Sequence, residues 1–240
     1  FAVALHCLGF PSERLAYLAR ASGLPLWSLP LDSVHAERPP VESAVVLLLG
    51  HGWEDQLSQY WDHPYSAWIE VASLADQSVL ELIKRATDSR LYASFTTLAA
   101  NKLDLAGEMM VAIGRLSPLS ETIRDNIELA LHEALCNALL HGNLQLESIG
   151  ALSIEALERF SSELMGRITD PRFANRRIDV VCDLDQGCVV IDVVDQGGGF
   201  VPKPKAEPKA SGRGFALIGA SCESFRLLDG GRRVSMRFPL

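Results

Sequence analysis

IELALHEALCNALLHGN, residues 127–143, is the stretch whose reading decides the fold. Ile127, Ala130, Leu131, Ala134, Leu135 and Ala138 recur at three- and four-residue spacing, which predicts one buried stripe along a helix. Glu133 and Asn137 stand one helical turn apart on a common face, with His141 displaced modestly around the helix. Gly142 and Asn143 are expected to end it, since both tolerate left-handed backbone. Taken alone, a carboxylate and an amide four apart also describe an ordinary helix-surface pair.

The C-terminal glycines change that balance. RRIDVVCDLDQGCVVIDVVD reads as two strands around a turn at Asp185, Gln186 and Gly187, and the second runs into DQGGGF. There Asp195 is followed by Gly197, Gly198, Gly199 and Phe200. A second cluster, GRGFALIGA, places Gly212, Arg213 and Gly214 before Phe215, Ala216 and an apolar helix signal. Glycines that let backbone approach a ligand, followed by a helix N-terminus, form a phosphate cradle. Each motif alone is weak; the ordered set of Glu/Asn helix, D-x-G-x-G at a strand end and G-x-G at a helix start is specific.

On these motifs, residues from about 119 to 240 resemble the GHKL ATP-binding domain of gyrase, heat-shock-90 chaperones, histidine kinases and mismatch-repair ATPases. EALCNALLHGN is similar to the N box, DQGGGF to the G1 box and GRGFALI to the G2 box. The E-A-x-x-N-A-x-x-H-G-N form resembles the anti-sigma-factor serine kinases, and an insertion after HGN also occurs among related proteins. The resemblance implies ATP and Mg²⁺ as cofactors. It implies that Asn137 holds Mg²⁺ against the phosphates and that Glu133 takes, or orients the base that takes, a proton from an attacking hydroxyl. Asp195 would accept from the adenine amino group, with Gly197, Gly199 and Phe200 around the base. His141, Gly142, Gly212, Arg213, Gly214, Phe215 and Ala216 complete the expected ATP-binding set. Mg²⁺ takes few protein ligands, so one amide oxygen beside phosphates and water suffices.

The N-terminal half alternates strand and helix signals: AVALHCL, a helix over 11–23, LPLWSL, AVVLLLG, a short helix in WEDQLSQYW, YSAWIEV, DQSVLELIKRATD, LYASFTT and LDLAGEMMVAIGRL. This predicts an open, parallel α/β sheet with helices on both faces, similar to a response-regulator receiver lacking its second helix. The fold expected is therefore two domains: residues 1–117 flavodoxin-like, residues 118–240 an α+β GHKL sandwich. The receiver's chemistry is absent. Cys7, Leu8 and Gly9 stand where acids would follow the first strand, Gly50 and His51 where the phosphate acceptor would be, and Thr96 and Thr97 in place of its Lys. Asp55 falls inside the expected short helix. This half is expected to dock a partner or dimerise, and Trp53, Trp61, His51 and His63 are read as its partner-binding surface.

Elsewhere, Ser120 is a candidate N-cap after Pro118. An inserted amphipathic helix would share Leu152, Ala156, Leu157, Phe160, Leu164 and Ile168 on one face. Pro202, Pro204 and Pro208, with Lys203, Lys205 and Lys209, occupy the loop where GHKL proteins keep an ATP lid. Arg232 and Arg233 are read as exposed.

Net charge, 22 − 30 = −8, argues against a nucleic-acid partner. No apolar run reaches the length of a membrane span. The first residues lack a basic lead and read as a strand rather than a signal peptide, and the missing initial Met suggests a trimmed chain. Five scattered cysteines are expected to be free thiols in a reducing cytoplasm. The reading is thus of a cytoplasmic, bacterial-type signalling regulator, a homodimer, phosphorylating a serine or threonine of an antagonist protein. Its partners would be that antagonist or a sigma factor. A non-catalytic, ATP-dependent binding module is the alternative from another class. A histidine kinase fits less well, because His132 lies inside the N box and no other His has a dimerisation-helix context.

Overall fold

In a computed structural model, residues 2–27, 43–71, 74–148, 153–199 and 214–240 are described. Chain packing divides the protein into two compact units, Phe1–Ser94 and Phe95–Leu240. The division falls ahead of the expected boundary at 117.

The first unit is a parallel sheet. β1 (Ala2–Leu8) is followed by α1 (Ser12–Ser22), β2 (Ser43–Leu49), a 3₁₀ turn (Leu57–Tyr60), β3 (Tyr65–Glu70), α2 (Asp76–Thr87) and β4 (Leu91–Thr96), with the strands adjacent in that order. β2 is a continuous apolar run, and Val45 through Leu49 are fully buried, as a central parallel strand requires. The expected LPLWSL strand shrinks to a single bridge. Leu26 pairs with Leu5 on the other edge of β1, through Leu5 N–H to Pro25 O and Trp27 N–H to Leu5 O; residues 28–42 lie outside the described set. In chain order the segments run 2-1-3-4-5, the flavodoxin-like order. α1 and α2 pack against one another, tied by Arg14 to Asp76 and to the Leu74 carbonyl, rather than taking opposite faces.

Trp53 and Trp61 correct the partner-surface expectation. Both are buried, and Trp61 stacks on Trp68 with ring centroids 4.4 Å apart. These aromatics face inward, into the core that the chain builds between β2 and β3 beside Trp68 and Leu57, while His51 and His63 remain exposed. The expected helix is only the 3₁₀ turn, and Asp55 lies in an exposed turn before it.

The second unit begins with two helices, α3 (Thr97–Ala100) and α4 (Leu105–Leu116), which the sequence boundary had placed in the other half. They belong here because α4 packs on α5 (Glu121–Cys136) and Thr97 bonds to the Arg176 carbonyl through both its N–H and its hydroxyl. Ser120 caps α5, accepting from Ile123 N–H. A π-turn (Asn137–Asn143), α6 (Ile154–Thr169) and α7 (Pro171–Ala174) follow, then β5 (Arg177–Asp185), β6 (Cys188–Asp195), α8 (Gly214–Ser221), β7 (Ser224–Leu228) and β8 (Arg233–Pro239). β5, β6, β8 and β7 are antiparallel neighbours in that order. Their registered inward residues, Val180 with Val193, Cys182 with Ile191 and Met236, and Val189 with Phe238, form one apolar face. Ile127, Ala130, Leu131 and Ala134 of α5 are fully buried in this unit, and the two alanines let the helix axis approach the strands closely.

On α6 the expected face is only partly used. Phe160, Leu164 and Ile168 pack on Leu144 and Leu146, whereas Leu157 is exposed and Leu152 lies outside the described residues. Arg233 is not merely exposed; it pairs with buried Asp192. The five cysteines are free. Among the described residues no helix is long and apolar enough to cross a membrane.

Candidate functional site

The decisive helix does not run to residue 143. α5 ends at Cys136 and the chain continues as the π-turn, closed by the i→i+5 bond from Leu144 N–H to Leu139 O. Such turns insert one extra residue into a helix and are frequent at functional sites. Neither Gly142 nor Asn143 adopts left-handed backbone; Gln145 does, at φ 56°. Gly142 is needed for another reason. A Cβ there would lie 2.5 Å from the Asp195 carboxyl carbon, and a Cβ on Gly197 would lie 2.1 Å from the Gly142 carbonyl oxygen. The N-box turn and the strand-end loop therefore cross backbone to backbone, which only glycine allows.

Asp195 ends β6. Its Oδ1 accepts from Gly197 N–H at 2.7 Å. Burial pushes its carboxyl pKa up, opposed by the Gly197 N–H and the charges of Arg232 and Arg176. Gly199, at φ 82°, passes so close to Gly230 that a Cβ would lie 2.3 Å from its carbonyl oxygen. Backbone packing thus already requires glycine at 197 and 199, apart from any space they give a ligand.

Glu133 and Asn137 meet the start of α8. A Cβ on Gly214 would lie 2.8 Å from Glu133 Oε2 and 3.2 Å from Asn137 Nδ2. Asn137 Nδ2 is buried without a hydrogen-bond partner among the described residues. Phe215 stacks on Phe225 with centroids 6.1 Å apart, and Ala216 is exposed. His141 is exposed and its Nδ1 donates to the Leu146 carbonyl at 2.7 Å, holding the chain that leaves the π-turn. Phe200, Gly212, Arg213 and the Lys/Pro loop lie outside the described residues.

Asn143 is not the α-helix end that the sequence predicts. Asn143 is fully buried, and every polar atom of its amide is engaged. The only signal was an amide following glycine, which reads equally as a cap. A cleft of about 280 Å³ lies elsewhere, between Ala100, Leu103 and Leu105 on one side and His132, Cys136 and Leu139 on the other.

An antiparallel sheet under a helix bearing Glu and Asn, with an acid and glycines at the adjoining strand end, defines a GHKL-type ATP-binding fold. The comparison with protein families agrees: the family model of the histidine kinase-like ATPase domain matches residues 96–238, and the chain belongs to that family. The matched span begins beside the division between the two units. No curated protein matches the chain. Family membership implies ATP binding in signalling.

Proposed function

We propose that the protein is a Mg-ATP-dependent serine/threonine kinase of the anti-sigma-factor type, acting on a partner antagonist protein. The observation that carries this reading is the meeting of Glu133, Asn137 and the start of α8 at one point, with Asp195 held against Gly142 at the far end of the same turn.

The residues present fit the nucleotide and its metal. Asn137 supplies a hard amide oxygen, and its Nδ2 finds no hydrogen-bond partner among the described residues. Mg²⁺, when bound, would neutralise charge on the phosphates. Asp195 accepts from the adenine amino group. Glu133 accepts the proton of the attacking serine hydroxyl while the oxygen bonds to the γ-phosphorus and the bond to the β-phosphate oxygen breaks, leaving ADP. Such transfer depends on positioning and charge neutralisation rather than covalent chemistry by the protein. The first unit serves as a receiver-like docking or dimerisation domain without a phosphate acceptor, since Gly50 and His51 follow its central strand. We place the protein in a bacterial-type cytoplasm, as a homodimer whose partner is a sigma factor or its antagonist.

The test is Glu133→Gln, which keeps size and hydrogen bonding but removes basicity. It is expected to bind ATP nearly normally and to phosphorylate a co-purifying antagonist about 10²- to 10⁴-fold more slowly. If wild type phosphorylates no co-purifying protein while ATP alters its affinity for one, a non-catalytic binding module replaces the kinase.

A further inference from the structure

Asn143 closes the π-turn at the point where four segments of the second unit converge. Its Nδ2 donates to Thr97 Oγ1 and to the Arg177 carbonyl, each at 2.9 Å. Its Oδ1 accepts from Gln196 N–H at 2.8 Å. Its own carbonyl accepts from Arg176 Nη1 at 2.6 Å. The amide's orientation follows from its neighbours. The Arg177 carbonyl can only accept, and the Thr97 hydroxyl proton is committed to the Arg176 carbonyl, so two acceptors face the amide nitrogen. The Gln196 N–H is a donor and requires the oxygen. Two donors and one acceptor on so short a stem describe asparagine; aspartate would oppose two acceptors with a third.

Gln196 lies between Asp195 and Gly197. The Gln196 side chain adds a second tie, accepting from Arg177 N–H at 2.9 Å. The loop that carries Asp195 is therefore joined to the N-box turn by an amide with no exposure to water. Gly142, next to Asn143, is the residue on which the Asp195 carboxylate rests.

We propose that Asn143 is a positioning residue for base recognition: it sets the Asp195–Gly197 turn against the π-turn so that the Asp195 carboxylate meets the 6-amino group of the purine. The proposal rests on the reading of Asp195 as the adenine acceptor. Asn143 would touch no part of the nucleotide itself, and the phosphate end, at Glu133, Asn137 and Gly214, is reached through other contacts. Loss of the Asn143 amide should therefore degrade discrimination at the base while sparing the contribution of the γ-phosphate.

The experiment uses the full chain and three nucleotides with Mg²⁺: ATP, ADP, and inosine triphosphate, which differs from ATP by a carbonyl in place of the 6-amino group. Wild type should bind ATP more tightly than inosine triphosphate by about tenfold or more, the size of one charge-assisted hydrogen bond. Asn143→Ala should erase most of that preference and leave the ratio of ATP to ADP affinity unchanged. A general loss of folded protein would weaken all three alike and move neither ratio. Should Asn143→Ala not fold, Thr97→Val removes one of the two acceptors that hold the amide and should give a smaller fall in the same preference. An unchanged base preference in the folded variant overturns the proposal. Equal affinities in wild type overturn the reading of Asp195, and the proposal with it.

Discussion

Asp195→Asn separates what the carboxylate does for the ligand from what it costs the fold. The exchange is isosteric, which matters at a position bounded by Gly142 and by the Gly197 N–H. Neutralising the acceptor should cost one hydrogen bond to a charged group, about 1.5–3 kcal/mol, or roughly 10- to 150-fold in ATP affinity. Stability should move the other way. Asp195 has a raised pKa because burial disfavours its ionised form. Its folded-state pKa thus lies above the unfolded value, so the native state binds more protons than the unfolded state across that interval. The group's contribution to stability therefore falls as pH rises through the window from the ordinary carboxylate value to the raised one, and is least favourable at neutral pH. Asn cannot titrate and should abolish this slope.

Calorimetric titration with Mg-ATP and thermal melts of the ligand-free protein between neutral and mildly acid pH measure both effects. The expected result is weaker ATP binding with a neutral-pH melting temperature no lower than wild type. Unchanged ATP affinity would refute the role of Asp195 in the site. A sharply lower melting temperature would refute the argument from desolvation, and would assign the carboxylate's value to its bond with Gly197 and to Arg176 and Arg232.

Gly142→Ala forces a methyl group into the Asp195 carboxylate and should cost about 1–3 kcal/mol by denaturant melts, with ATP binding lost alongside. Gly166→Ala is the matching control: nothing lies near its Cβ position in α6, so it should gain up to about 1 kcal/mol in helix propensity. Treating the protein with a small-molecule phosphodonor should leave the mass of the first unit unchanged, because Gly50 and His51 follow β2 and Asp55 sits in an exposed turn; an acyl-phosphate mapped to residues 1–94 would disprove this.

The parts of the site legible in the sequence are those that backbone geometry forces on composition. Where two segments of the chain cross at Gly142 and Gly197, no side chain can be substituted, so the glycines survive as a readable pattern beside Asp195. The apolar stripe of α5 was legible for a similar reason, since burial at three- and four-residue spacing admits few residue types. The π-turn leaves no such mark: Ala138, Leu139 and Leu140 suit an α-helix equally well. The burial of Trp53 and Trp61 depends on a loop path that periodicity cannot give. α3 is too short to show a period, and its allegiance is decided by Thr97 bonding across to Arg176 and Asn143. Asn143 was visible but ambiguous, because a buried three-way amide and a helix cap use the same residue.

On the proposed reading, the π-turn lets one short motif serve both ends of a nucleotide. Asn137 is its first residue and Gly142–Asn143 its last two. In an α-helix, residues four apart share a face, and His141 would come round beneath Asn137. Bonding at i→i+5 brings residues five apart to the same side instead, which is the spacing of Asn137 and Gly142. His141 is exposed and ties the Leu146 carbonyl, while Gly142 lies against the strand end that carries Asp195. The distance between the Asn137 amide and the Asp195 carboxylate, the proposed phosphate and base contacts, is then set within seven residues, Asn137–Asn143. A single-residue deletion at Leu139 or Leu140, which would restore an α-helical register, should therefore disconnect the two ends even though no proposed ligand contact is removed.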